Sequence, residues 1–206
     1  IPIHCHDYDI AIEAKNVKKS EQKTAVFLAQ NLPHHVEVKN RYGDSLKPSK
    51  YYREVECYFE KLKTETDIQK ITIAEHPNAD IEKAKKRWKN RKVKKYKTAE
   101  MVNKSDIVIS HGSFSSIYAI IFRKPIYLMQ TRQMKELDIN SDILENFSKK
   151  LGGNFAVSGP KSVERFEQVS LRKYTYKKIM NRYIKEKGTK DINSVEYFYK
   201  KYVLNN

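Results

Sequence analysis

Four polar clusters in this sequence each follow a short apolar run, and together they hold residue types that bind phosphate. They are Gln30-Asn31, His76-Pro77, the stretch 110–116 with Ser110, His111, Gly112, Ser113, Ser115 and Ser116, and Gln130-Thr131. An imidazole exchanges protons and hydrogen bonds near neutral pH. Hydroxyls at a helix start cap free N–H groups, and those N–H groups with the helix dipole attract anions. Each cluster also has a plainer reading. A lone serine before a helix is a cap, a turn histidine bonds the nearby backbone, and strand ends are polar because loops are solvated.

The elements that would gather these clusters follow from the apolar pattern. Runs too short for helices and rich in β-branched residues predict strands at 24–29, 71–74, 107–109 and 126–129, with a minor strand near 93–96 and a weak edge strand at 155–157. Tyr51, Val55, Tyr58, Phe59 and Leu62 fall at spacings of three and four, which predicts a helix over 51–63. Further helices are expected at 81–88, capped by Asn78 or Asp80, and at 99–103. Another spans 117–122, stopped by Pro125, and one at 139–151 is stopped by Gly152-Gly153. Residues 7–15 read as a polar entry segment, and a loop holds Pro33, His34, His35, Gly43 and Pro48.

Alternating strands and helices imply an α/β fold: a Rossmann-like parallel sheet flanked by helices, with right-handed crossovers. The expected division is an entry segment at 1–20, a Rossmann-like domain at 21–168 and C-terminal helices at 169–206, near 169–187 and 195–203. In such sheets ligands lie beyond the carboxyl ends of the strands, where the four polar clusters would meet.

Composition bounds the function. The chain has 206 residues, 39% hydrophobic, enough for one core, and its 14 tyrosines argue against disorder. No apolar run approaches the roughly 18–20 residues that span a bilayer, and no signal-peptide pattern opens the chain. Cys5 and Cys57 form no disulfide framework and suit a reducing cytosol, so a cytoplasmic location is expected, peripheral at the inner membrane face. His4-Cys5-His6 lacks the second cluster that a metal site needs, and no metal is expected. The chain begins at Ile1, and it is expected to be a piece of a longer protein.

The net charge is +16, densest from Lys85 to Lys97, with Trp88 and Tyr96 interleaved. That run suits a nucleic-acid face or an anionic lipid or polymer surface. Because lysine is spread along most of the chain, a solvated helix face is the plainer account.

Ile73-Ala74-Glu75-His76-Pro77, then Ser105-Asp106-Ile107-Val108-Ile109-Ser110 with Ser115-Ser116, then Lys124-Pro125-Ile126, resemble the C-terminal half of a two-domain (GT-B) glycosyltransferase. The likeness is to bacterial enzymes of surface-polysaccharide, sialic-acid or Kdo transfer, which carry a His-Pro motif and a Ser-Ser or Ser-Thr motif, and it covers about residues 20–160. It implies a nucleotide sugar, CMP- or UDP-linked, as donor substrate, with no other cofactor and a glycan or lipid-linked acceptor. His76 would contact the donor phosphate or leaving group and serve as the catalytic residue. Pro77 would fix the turn that aims it, since proline holds the preceding residue extended. Ser115 and Ser116 would bind the phosphate through hydroxyl and N–H, with His111, Ser113 and Gln30 at the same rim.

Glycosyl transfer needs a base for the acceptor hydroxyl and a way to stabilise the departing phosphate. No Asp-x-Asp pair for a metal–diphosphate site is expected in the chain, which agrees with a metal-independent mechanism. In these families the base commonly comes from an N-terminal acceptor domain, expected to be missing here, so the chain alone would bind donor without transferring it. A C-terminal helix crosses back to the first domain in related folds, a role open to 195–203. Two alternatives stand beside this reading: a relative of the nucleotide-sugar 2-epimerases, and a basic nucleic-acid-binding protein, the last the less expected.

Overall fold

The computed structural model of the chain describes residues 4–16, 21–89, 91–151, 155–164, 166–185, 187–189 and 191–204. Strands β1 (Thr24–Leu28), β2 (Lys70–Ala74), β3 (Val93–Lys94), β4 (Ile107–Ser110), β5 (Ile126–Thr131) and β6 (Phe155–Ser158) are mutually parallel. A final strand, β7 (Val163–Glu164), pairs antiparallel with β6. The seven-stranded order is β3-β2-β1-β4-β5-β6-β7. Its first six places repeat the 3-2-1-4-5-6 order of doubly wound nucleotide-binding sheets, compatible with a Rossmann-like fold. The order reverses between β1 and β4, the place where sheets of this order bind ligands beyond the strand ends.

The sheet is covered on both faces, as all-parallel strands require. Strands β1, β4 and β5 are buried at every position. Alternate residues point to opposite sides. Phe27, Ile73, Ile109 and Met129 enter the core beneath helices α2 (Val36–Tyr42), α3 (Pro48–Glu65) and α4 (Ile81–Arg87). Val26, Leu28, Val108 and Leu128 enter the other core. Helices α1 (His6–Glu13), α5 (Thr98–Lys104) and α6 (Ile117–Ile121) pack there. Beyond them, α7 (Arg132–Glu136) follows β5, and α8 (Ser141–Leu151), α9 (Lys173–Ile179) and α10 (Ser194–Phe198) complete the helices.

Local chemistry explains the helix starts. Asp80 accepts hydrogen bonds from the N–H groups of Glu82 and Lys83 at 3.0 and 3.1 Å, a cap worth about 1 kcal/mol to α4. Pro48 opens α3, where its missing N–H costs nothing.

Several expectations change. The entry segment is the helix α1, and the Pro33–Pro48 loop contains α2. Strand β6 is not the edge, because β7 lies outside it. The helix expected at 169–187 is shorter, Lys173–Ile179 continuing as a wide π-type turn at Met180–Ile184, while that expected at 195–203 is Ser194–Phe198 continuing likewise at Tyr199–Val203. The Gly152-Gly153 helix stop lies outside the described residues. The C-terminal arm is tied back to α1. Ser194 N–H donates to Asp9, Tyr8 donates to Asp191, and the N–H of Cys5 donates to the carbonyl of Ile184. Among the described residues no helix is long and apolar enough to cross a membrane.

Candidate anion-binding site

At the carboxyl edge, Leu28 of β1 lies level with Ala74 of β2 and Ser110 of β4. The segments that follow form one rim: Gln30-Asn31, Glu75-His76-Pro77 and residues 111–116. Strands β2 and β4 flank β1, so His76 and the serine turn stand roughly 10 Å apart, two strand spacings.

His76 is half-buried, and its Nδ1 accepts the Asn78 N–H at 3.2 Å. A neutral ring used this way carries its proton on Nε2. Burial first, and then the neighbouring His35, hold the His76 pKa below the usual imidazole value. The His35 ring meets it edge-on at 5.3 Å. His34 is shifted down likewise, by burial and by the charge of Arg87. Pro77 is exposed, and its carbonyl accepts from the Tyr96 hydroxyl at 3.2 Å.

Arg87 completes this side. Its guanidinium lies 4.6 Å over the Tyr52 ring and donates to Asn31 Oδ1 at 3.2 Å. Asn31 holds a left-handed φ of 50°, which asparagine tolerates better than most residues. Glu75 makes no ion pair with the arginine. Its carboxylate is spent on the Trp88 indole N–H at 2.9 Å and the His76 N–H at 3.0 Å. Among the described residues Arg87 makes no ion pair. Two buried polar atoms, the Tyr52 hydroxyl on the ring beneath the guanidinium and Gln30 Oε1 beyond the end of β1, have no hydrogen-bond partner. Along this side the rim offers a guanidinium, a neutral imidazole N–H and two unused polar atoms, groups that suit an anion bearing hydroxyl or amino groups.

The serine turn is arranged differently. Ser110 Oγ accepts the N–H groups of Gly112 and Ser113 at 3.1 and 3.0 Å and bonds Ser116 Oγ at 2.9 Å. The Ser115 N–H goes to Ser113 Oγ and the Ser116 N–H to the Ser113 carbonyl. Those backbone donors are spent inside the turn. Only the half-buried Ser113 and Ser115 present hydroxyls at the surface, while Ser116 is 2% exposed. Gly112 has a φ of +87°, and a Cβ there would meet Ile143 Cγ2 at 2.7 Å, so both conformation and space require glycine.

His111 turns inward, which removes it from the rim surface. Its Nδ1 donates to the Met129 carbonyl at 2.8 Å, and Nε2 therefore accepts the Tyr51 hydroxyl at 2.9 Å. Full burial drives its pKa down to about 4 and holds the Tyr51 phenol well above its ordinary value. Both groups stay neutral, and His111 acts as a buried strut between α3 and β5.

Sequence reasoning placed Asn31 at the rim and missed Arg87, Tyr52, His34 and His35 there. The short α4 does not traverse the sheet, so Arg87 stays at the carboxyl edge with the Glu75–Trp88 hydrogen bond. The basic run around it is not one face. Trp88 is core, and Arg91 pairs with Glu56 at 2.7 Å. One Asp-x-Asp tripeptide, Asp7-Tyr8-Asp9, does occur, in α1 and away from the rim. There Asp7 accepts from the Tyr118 hydroxyl at 2.8 Å and Asp9 from the Ser194 N–H at 2.8 Å. His4-Cys5-His6 does not converge either, since the His4 ring stacks on Tyr197 at 4.9 Å. Among the described residues no group of His, Cys, Asp and Glu is placed to hold a metal ion.

No protein-family model matches this chain, and no curated protein matches it.

Proposed function

We propose that the chain binds a nucleotide sugar at the carboxyl edge of the sheet, as the donor-binding part of a metal-independent glycosyltransferase of the two-domain type in bacterial surface-glycan synthesis. The reading rests on the resemblance of the His76-Pro77 and Ser115-Ser116 segments. The observation that carries it furthest lies beyond the ends of β1 and β2: Arg87 without an ion pair among the described residues, His76 with its proton on Nε2, and the unused Gln30 Oε1 and Tyr52 hydroxyl.

Under this reading Arg87 and the His76 Nε2–H meet the donor phosphate, and they stabilise the charge that grows on it as the sugar leaves. Ser113 and Ser115 hydroxyls reach the same phosphate group from the other side of β1. Gln30 Oε1 takes a hydroxyl or amino hydrogen of the nucleoside. Ser116 and His111 hold the turn and do not touch the donor.

Titration calorimetry with CMP, UDP, GDP, ADP and a short oligonucleotide, at low and moderate salt, tests this. The expected result is preference for one mononucleotide, resistant to moderate salt and weakened at least about tenfold by Arg87→Ala or His76→Ala, the loss of a charge-assisted hydrogen bond. Oligonucleotide binding alone, lost with salt, would replace the proposal with a nucleic-acid function. UDP preference together with inversion of a UDP-sugar at its 2-position would replace transfer with epimerisation.

A further inference from the structure

A cavity of about 460 Å³ lies at the opposite end of the sheet, where α6 ends and the C-terminal arm crosses α1. Its apolar wall is Ile120, Ile121 and Met180, and its polar rim includes Arg123, Lys173 and Lys177.

Three cations line this cavity without an acidic partner among the described residues. Some lysines on other helices have acidic partners one turn away, as in Lys61–Glu65, Lys85–Glu82, Lys104–Glu100 and Lys200–Glu196. Helix α9 carries Lys173 and Lys177 four residues apart, a repulsive spacing, with no acid in its first turn. Asp191 is the carboxylate lining the cavity, and it is already engaged. Lys15 and Lys185 each reach it at 2.5 Å, and Tyr8 donates to it at 2.5 Å. Among the described residues Arg123, Lys173 and Lys177 make no ion pair.

Arg123 adds a backbone observation. It ends α6 with a left-handed φ of 53°, where its N–H bonds the Ile120 carbonyl and the Lys124 N–H bonds the Ala119 carbonyl. Glycine is the least strained residue at such a helix end. An arginine there places its guanidinium on the cavity.

We propose that this cavity binds a phosphate ester bearing an apolar group, with the phosphate among Arg123, Lys173 and Lys177 and the apolar portion on Ile120, Ile121 and Met180. This site is separate from the strand-end rim and does not depend on the nucleotide-sugar reading. Phosphate matches a cluster of guanidinium and ammonium donors, and the isoleucines leave room for alkyl chain rather than for a second charge.

The test is titration of the full chain with dihexanoyl phosphatidic acid below its micelle concentration, dihexanoyl phosphatidylcholine and inorganic pyrophosphate. The expected result is binding of the phosphatidic acid, at least about tenfold weaker in Arg123→Gln/Lys173→Gln/Lys177→Gln, as loss of charge-assisted bonds implies. A control with the same loss of charge among exposed lysines, Lys86→Gln/Lys89→Gln/Lys92→Gln, should bind as wild type does. Equal weakening in both variants would mean attraction by net charge only and would overturn the site. Pyrophosphate binding as tightly as the lipid would overturn the apolar half of the proposal and assign the site to soluble phosphates. Binding of neither would overturn it entirely. Circular dichroism of the variants separates lost binding from lost folding.

Discussion

The two ends of the sheet handle charge in opposite ways. At the carboxyl edge, one guanidinium stands among imidazoles whose pKa values are held down, together with unused neutral hydrogen-bonding atoms. At the amino edge, fixed cations surround an apolar wall. The first arrangement is directional and answers to protonation. The second is Coulombic and answers to salt. A chain of net charge +16 attracts anions everywhere, so net charge alone tells little about where a specific site lies. What separates a site from a solvated face is whether neighbouring groups have already used the charge or the hydrogen-bonding capacity. By that standard the densest basic run divides: Lys85 and Arg91 are paired and Trp88 is buried, whereas Arg87 at the rim makes no ion pair among the described residues.

The largest way to break the contrast is to remove the strut beneath the rim. His111→Phe leaves the Met129 carbonyl and the Tyr51 hydroxyl without partners and should destabilise the fold by about 2–4 kcal/mol at pH 7, measured by urea unfolding. The folded pKa of His111, about 4, is below the unfolded value near 6.5, so the unfolded chain binds the extra proton between them. Wild-type stability therefore falls as pH drops through that window, and the gap to His111→Phe should narrow by pH 5. A gap that stays constant with pH would show that His111 is not buried and neutral.

A smaller effect would sharpen the contrast directly. Arg87→Ala should weaken nucleotide binding at least about tenfold while leaving phosphatidic acid binding within about twofold. Equal loss of both ligands would merge the two ends into one site.

Protonation gives the next discriminator. A bound anion favours the charged forms of His34 and His76, whose free pKa values lie below the usual value, so binding takes up protons. Nucleotide affinity should rise about two- to fivefold from pH 8 to pH 6, measured by calorimetry in two buffers of different ionisation heat. A site of ammonium and guanidinium groups should change far less over that range. Identical pH profiles for the two ligands would remove the distinction.

The smallest expected effect is on the backbone. Arg123→Gly relieves a strained φ but adds flexibility to the unfolded chain, and these nearly cancel to within about 0.5 kcal/mol by thermal unfolding. A large loss of stability would mean that the arginine holds the helix end rather than serving the cavity.

Most of the sheet was legible because β1, β2, β4 and β5 are short runs of Val, Ile, Leu and Phe bounded by polar turns. Helix α2, VEVKNRY, was not. It has no fully buried residue and is held by Val38 and Tyr42 lying against the core, a tertiary contact that leaves no period to read. Helix α7 and strand β7 are five and two residues long, too short for any pattern. Within the rim, His76 and Gln30 were legible as strand-end residues. Arg87 was hidden because it sits in a run of lysines. Its place depends on α4 being too short to cross the sheet, which a strand–helix–strand reading does not anticipate. Tyr52 was masked by its neighbour Tyr51, which carried the helical spacing. The inward turn of His111 and Ser116 follows from the partners they meet across the fold, Met129 and Tyr51 for one and Ser110 for the other, and spacing alone cannot supply that.

Strands β3 and β7 have a consequence for crowded solutions. Each outer margin of the described sheet is a strand of two residues, one flanked by lysines and the other running antiparallel to its neighbours. A long bare margin would invite another chain to add a strand and begin an aggregate; two residues offer too few free N–H and C=O groups to hold one. At concentrations where flat-edged sheets stick together, this chain should stay dispersed, with β3 and β7 serving as end stops.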